Sequence, residues 1–118
     1  MPLQGDKQFK TSWPSNTTPQ APDGSGAKTV TLAGYSLTNV NASARFVKFY
    51  DISTSPSVGN AVPIRTIELP GSTMVQAEFH RGKIFVNGMW VSVTTLGADT
   101  DNTAPAANDV LVTVDYQS

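Results

Sequence analysis

The run RGKIFVNGMWVSVTT, residues 81–95, decides how this chain is read. Ile84 and Val86 fall on one side of an extended segment. Beyond Asn87-Gly88, Met89, Val91 and Val93 alternate with Trp90 and Ser92. Successive side chains of a strand point to opposite faces, so both halves carry the period-two signature of β structure. Asn and Gly accept positive φ at low cost, and Asn-Gly between apolar alternations is the strongest short-range hairpin signal. The stretch therefore predicts a β-hairpin turning at Asn87-Gly88, in the middle of a sheet on which the other strands pack.

Working outward, the same alternation recurs. Residues 109–116 place Val110, Val112, Val114 and Tyr116 on one face and Leu111, Thr113 and Asp115 on the other, the pattern of a half-buried antiparallel strand. Residues 73–80 alternate Met74, Gln76 and Glu78 with Val75, Ala77 and Phe79. Residues 64–69 form a short strand closed by Pro70-Gly71. Residues 43–52 are apolar on both faces except for Lys48, which predicts a central strand. From Lys28 onward, Val30 and Leu32, then Tyr35 and Leu37, flank Ala33-Gly34, where a bulge would re-aim the strand. Residues 53–63 and 97–108 are loops by their Ser, Pro, Gly, Asn and Asp content. No segment sustains helical periodicity. Short strands punctuated by Pro and Gly predict one all-β domain over residues 28–118, a single antiparallel β-sandwich or jelly-roll-like barrel.

Residues 1–27 have a different character, with Pro2, Pro14, Pro19 and Pro22 in a polar, Gly- and Ser-containing context. Proline removes backbone donors and favours extended conformations, so this segment predicts an extended N-terminal arm. Phe9 and Trp13 are large aromatics in otherwise polar surroundings, the kind of anchor that docks into a neighbour. With the adjacent Lys10 they are the expected partner contacts, in an arm ordered only by another chain.

Composition narrows the function. Only 14% of the 118 residues are charged, the formal net charge is −1, and the eight basic residues are scattered. Nucleic-acid binding and a polybasic membrane patch both require clustered cations, so neither is expected. Cysteine is absent, which removes disulfides and thiolate metal sites. No run has the roughly 20 apolar residues of a membrane-spanning helix. The first residues lack the apolar core of a secretory signal, so synthesis in a cytoplasm is the expectation.

Catalytic apparatus is sparse. His80 stands alone at a strand end without a G-x-S-x-G elbow, and reads as a surface residue. Glu68 and Glu78 would serve a glycosidase only if they faced each other across a cleft, and outward charge is their simpler role. Asp99, Asp101 and Asn102, with Asp109, have the alternating oxygens of a calcium loop but lack its Gly and terminal Glu. Asp and Asn are also ordinary turn residues, which is the preferred reading. Trp90, with Tyr35 or Tyr50, is a candidate sugar-stacking platform, although an aromatic in a strand is more simply core or interface. No phosphate loop or dinucleotide fingerprint occurs, so a non-enzyme with no cofactor and no metal is expected.

Several short motifs together carry a likeness. They are Lys48, Tyr50 and Asp51 in K-x-Y-D; Pro56, Val58 and Gly59 in P-x-V-G; and Thr66, Ile67, Leu69 and Pro70 in T-I-x-L-P. Gly82, Phe85, Gly88, Trp90, Val91, Val93 and Thr94 follow in G-x-x-F-x-x-G-x-W-V-x-V-T, then Ala98, Asp99 and Asp101 in A-D-x-D, then the valine-rich final strand. Over residues 44–116 the chain resembles a group of small tailed-bacteriophage structural proteins; Thr95-Leu96 departs from the Gly-Gly frequent at that point. The resemblance implies a virion component, best fitted by a capsid decoration (cement) protein, with head-fibre or tail adhesin modules next. It implies the major capsid protein as partner, a homotrimer, and a place on the capsid surface. The motif residues look like turn and core positions, so no catalytic site comes with the likeness. A host-surface carbohydrate-binding adhesin is the alternative, with Trp90, Asp99 and Asp101 as candidate ligand or interface residues. A cell-wall hydrolase using His80 or Glu78 is the third reading.

Overall fold

The computed structural model describes residues 7–118. Seven strands follow in order: β1 Lys7–Ser12, β2 Val30–Asn39, β3 Arg45–Asp51, β4 Arg65–Leu69, β5 Thr73–Phe85, β6 Met89–Thr94 and β7 Val110–Gln117. Among the described residues there is no helix. The strands form a four-stranded sheet in the order β1-β7-β2-β5 and a three-stranded sheet in the order β4-β3-β6. Every pairing within them is antiparallel. The two sheets pack face to face as a β-sandwich, as the strand spacing predicts.

Alternation accounts for the core. In β7, Val110, Val112, Val114 and Tyr116 are buried while the residues between them are half-exposed. Leu37 of β2 joins them from the first sheet, and Val47, Phe49, Val91 and Val93 meet them from the second. Phe49 links the layers, its ring 5.9 Å from Tyr35 and 6.2 Å from Phe85. β3 is central in its sheet and buried on both faces, as its two-sided apolar pattern predicts.

The expected bulge lies at Ala33-Gly34. The β2–β5 register passes from Leu32↔Lys83 to Gly34↔Glu78, so residues 79–82 oppose the single Ala33. A Cβ on Gly34 would stand 2.7 Å from the Ala77 carbonyl oxygen, so the strands approach this closely only because the residue is glycine.

The hairpin expectation is corrected. Residues 81–85 belong to β5 and pair with β2 in one sheet, whereas β6 pairs with β3 in the other. Asn87-Gly88 is thus a crossover between layers, and residues 73–85 form one strand. β5 and β6 are the outermost named strands of their sheets, so this stretch is not the middle of either. The turn is held from outside. The Asp51 carboxylate accepts hydrogen bonds from the backbone N–H groups of Val86, Asn87 and Gly88, at 3.2, 2.8 and 3.4 Å.

The arm expectation is corrected as well. Its first six residues lie outside the described residues, but from Lys7 onward the segment belongs to the sandwich. β1 pairs with β7 along its whole length. Trp13 is fully buried, and its backbone N–H donates to Val110 O while its carbonyl accepts from Asn108 N. Gln20 then pairs with Val91 in both directions, extending the second sheet beyond β6. The Tyr116 hydroxyl donates to the Pro22 carbonyl at 2.9 Å. The aromatic anchor was legible, but it docks in its own domain.

Removing a buried indole takes away its packing and leaves a cavity, a change that costs about 3–5 kcal/mol in other cores. Trp13→Ala is expected to lower unfolding stability by about that amount in urea titration. A loss below about 1 kcal/mol would show that the segment does not contribute to the core.

Candidate functional site

Two of the residues nominated by the sequence, Tyr50 and Trp90, lie side by side on the outer face of the three-stranded sheet. Strand register sets Tyr50 opposite Trp90, Lys48 opposite Ser92 and Phe46 opposite Thr94. This face is covered rather than open. Ser92 Oγ donates to Thr17 O at 2.7 Å, and Trp90 Nε1–H donates to Gly26 O at 3.0 Å. The indole lies directly on Gly26, where any Cβ would collide with the ring. From the other side the loop of residues 95–105 folds over β3, bringing Gly97 against the Phe46 ring.

Lys48 explains why that loop closes. The residue is fully buried, and its ammonium donates to the carbonyls of Ala98 at 2.7 Å and Asp101 at 3.0 Å. Burial lowers its pKa, and the nearby Asp101 and Asp99 charges offset that only in part. Asp101 organises the loop from within: its carboxylate accepts from Leu96 N, Thr103 N and Thr103 Oγ1. The ADTDN stretch therefore wraps the protein's own cation, and Asp101 serves as a turn residue. Among the described residues no group of three or more His, Asp or Glu side chains is arranged to hold a metal ion. Asp99 is exposed and contributes to the field around Lys48 and Tyr50.

Tyr50 carries the unusual polar atom of this face. Its hydroxyl is buried with no hydrogen-bond partner among the described residues. Burial, reinforced by the Asp99 charge, pushes its pKa up to about 12, so it stays neutral at physiological pH.

The other nominated residues are dispersed. Phe9 is half-buried and packs on the core, while Lys10 beside it is exposed. Trp13 is interior, with its indole N–H on Asn16 O at 2.9 Å. His80 is exposed on β5, and Glu68 and Glu78 are exposed on strands of different sheets. Asp109, set beside the calcium-like group in the sequence, lies instead at the start of β7. It accepts from Arg45 Nε at 3.0 Å, Asn41 Nδ2 at 3.2 Å and Ala106 N at 3.1 Å. Sequence reasoning missed Asp51 and Lys48 as functional supports of the fold. The K-x-Y-D spacing was the available signal, since it puts Lys48 and Tyr50 on one strand face and the acid at the strand end.

These contacts define a β-sandwich whose conspicuous polar residues close loops and crossovers. No protein-family model matches the chain, and no curated protein matches it. Among solved structures, the coat protein of Tobacco streak virus is similar, with a TM-score of 0.41 and 9% identity over 98% of this chain and 90% of that one.

Two measurements check this assignment of roles. Lys48→Met withdraws the donor shared by two loop carbonyls. The Leu96 and Thr103 amides should then exchange with solvent about tenfold faster or more, with β7 amides unaffected. Unchanged exchange would refute the loop-anchoring role. Burial alone would raise the Asp109 pKa, but its hydrogen bonds from Asn41, Arg45 and Ala106 and the Arg45 charge outweigh it, so the net shift is downward from 3.8. A depressed carboxyl stabilises the fold above its unfolded pKa and loses that contribution as pH falls through the folded value. The stability gap between the native chain and Asp109→Ala should therefore be constant near neutrality, about 2 kcal/mol, and shrink below about pH 4. A gap independent of pH would contradict it.

Proposed function

We propose that this protein is a structural component of a tailed-phage virion, a decoration (cement) protein that binds the outside of the assembled head and stabilises contacts between capsomers. One observation carries the reading. The residues shared with the phage structural group are the ones that build the architecture: Lys48 under its loop, Asp51 on the crossover, Gly88 in the turn and Leu69, Phe85, Val91 and Val93 in the core. A likeness made of such positions concerns the whole scaffold rather than an active centre, and that supports a role in which the folded body itself is the working part.

Binding only to the completed lattice stabilises it by mass action, which suits a rigid module added after assembly. The low charge and Thr-, Ser- and Gln-rich outer surface of the four-stranded sheet favour contact with other protein. β1 is an edge strand whose Gln8 and Lys10 are exposed, and we assign it the first contact with the major capsid protein. Trp13 acts from inside, holding that edge in place. A closed ring of three copies fits symmetric assembly, because head-to-tail contacts that fail to close produce fibres.

The test is to add the purified chain to phage heads prepared without it, then sediment them and challenge them with heat. Co-sedimentation with heads that survive a higher temperature is expected. Attachment to host cells without attachment to heads would replace decoration by adhesion.

A further inference from the structure

The two long sides of the sandwich are finished differently. On one side, residues 17–20 cover the edge of β6 through the Gln20–Val91 pairing, and Pro22 is tied to Tyr116. On the other, β4 and β5 are the last strands of their sheets and do not pair with each other. An apolar groove of about 270 Å³ opens between them, lined by Leu32, Phe49, Phe79 and Phe85. Ile64 stands at its mouth, 47% exposed. The β5 bulge shapes the opening, with Gly82 at a φ of 77°.

Its rim is cationic. Arg65 and Lys83 border the groove, and Arg65 lies 5.9 Å above the Phe79 ring. Among the described residues neither has a carboxylate partner, the ion pair there being Arg45–Asp109. Glu78 lines a separate notch on the outer face with Asp115, and Glu68 is three positions farther along β4. The mouth itself therefore faces solvent with positive charge over aromatic walls.

We propose that the β4–β5 edge is a docking groove for an extended acidic segment of another protein. That segment inserts one apolar side chain between Ile64 and Phe79 and sets its carboxylates against Arg65 and Lys83. A strand added to a free sheet edge gains main-chain hydrogen bonds, and side-chain pockets supply selectivity. A second copy of this chain is the wrong occupant. Its β1 and β5 edges carry more cations than acids, with Lys7 and Lys10 on β1 and Arg81 and Lys83 against Glu78 on β5, so either edge meets the Arg65 and Lys83 rim with like charge; β4 balances Arg65 with Glu68 and offers no net acidic edge. The same cations favour an acidic strand, through charge complementarity that is lost in salt. The groove lies across the sheet from β1, so this docking does not depend on the virion assignment.

The experiment is a nuclear magnetic resonance titration of the full chain with a capped nonapeptide alternating threonine and glutamate around one central phenylalanine. Saturable shifts confined to β4 and β5 amides are expected. Affinity should fall about tenfold or more in Lys83→Glu and Arg65→Glu, both exposed positions whose change leaves the fold intact. The corresponding lysine peptide should not bind. No saturable shift, equal binding of the lysine peptide, or unchanged affinity in both variants would overturn the proposal. So would self-association of the chain through the same amides.

Discussion

The structure depends on the chain changing sheets between Phe85 and Met89. Three residues carry it from the edge of one layer to the other, and their N–H groups face away from both ladders. An unpaired backbone donor is costly where water is excluded, as at buried Gly88, and an acceptor fixed by the fold also holds the exposed Val86 and Asn87 in place. Asp51, at the end of β3, supplies it to all three. The position of Gly88 adds a second condition. A Cβ there would collide with the carbonyls of Gly26 and Ile52, so the crossover is packed against the N-terminal strap. Through these contacts β3, the crossover and residues 13–27 form one mechanical unit.

That unit explains the burial of Lys48. With the strap on one half of the outer face of β3 and β6, only the loop of residues 95–105 remains to cover the other half. A lysine ammonium can be buried if carbonyl oxygens replace its water shell, and the loop brings two. β3 and β6 are thereby covered on both faces, while β4 keeps Thr66 and Glu68 exposed. The low surface charge follows in part from this arrangement, since Lys48 is interior and Arg45 is neutralised by Asp109.

Much of the fold was legible locally. β7 and β2 announce themselves by alternation, the glycine bulge by its interruption of that alternation, and β3 by apolar residues on both faces. What was not legible is pairing. Asn87-Gly88 between two apolar alternations is a hairpin signal, but local sequence cannot tell whether the arms bond to each other or to β2 and β3. The deciding contact, Asp51 to Asn87, spans 36 residues. The N-terminal segment misleads for a related reason. Composition marks Trp13 as an anchor, but whether its pocket lies in the same chain depends on Val110 and Asn108, nearly a hundred residues away. The candidate site was partly readable: Asp101 as a turn residue was correct, whereas Lys48 as the cation at the centre of its loop was not seen.

The most direct test of this account is native-state hydrogen exchange on the isolated protein, comparing Trp13 and Gln20 amides with those of β7. If residues 7–27 seal the sandwich, the two sets open together, with the same free energy and the same response to denaturant. Trp13 and Gln20 exchanging like unstructured peptide while β7 stays protected would mean that the segment is ordered only by a partner, and the closed sandwich described above would be wrong.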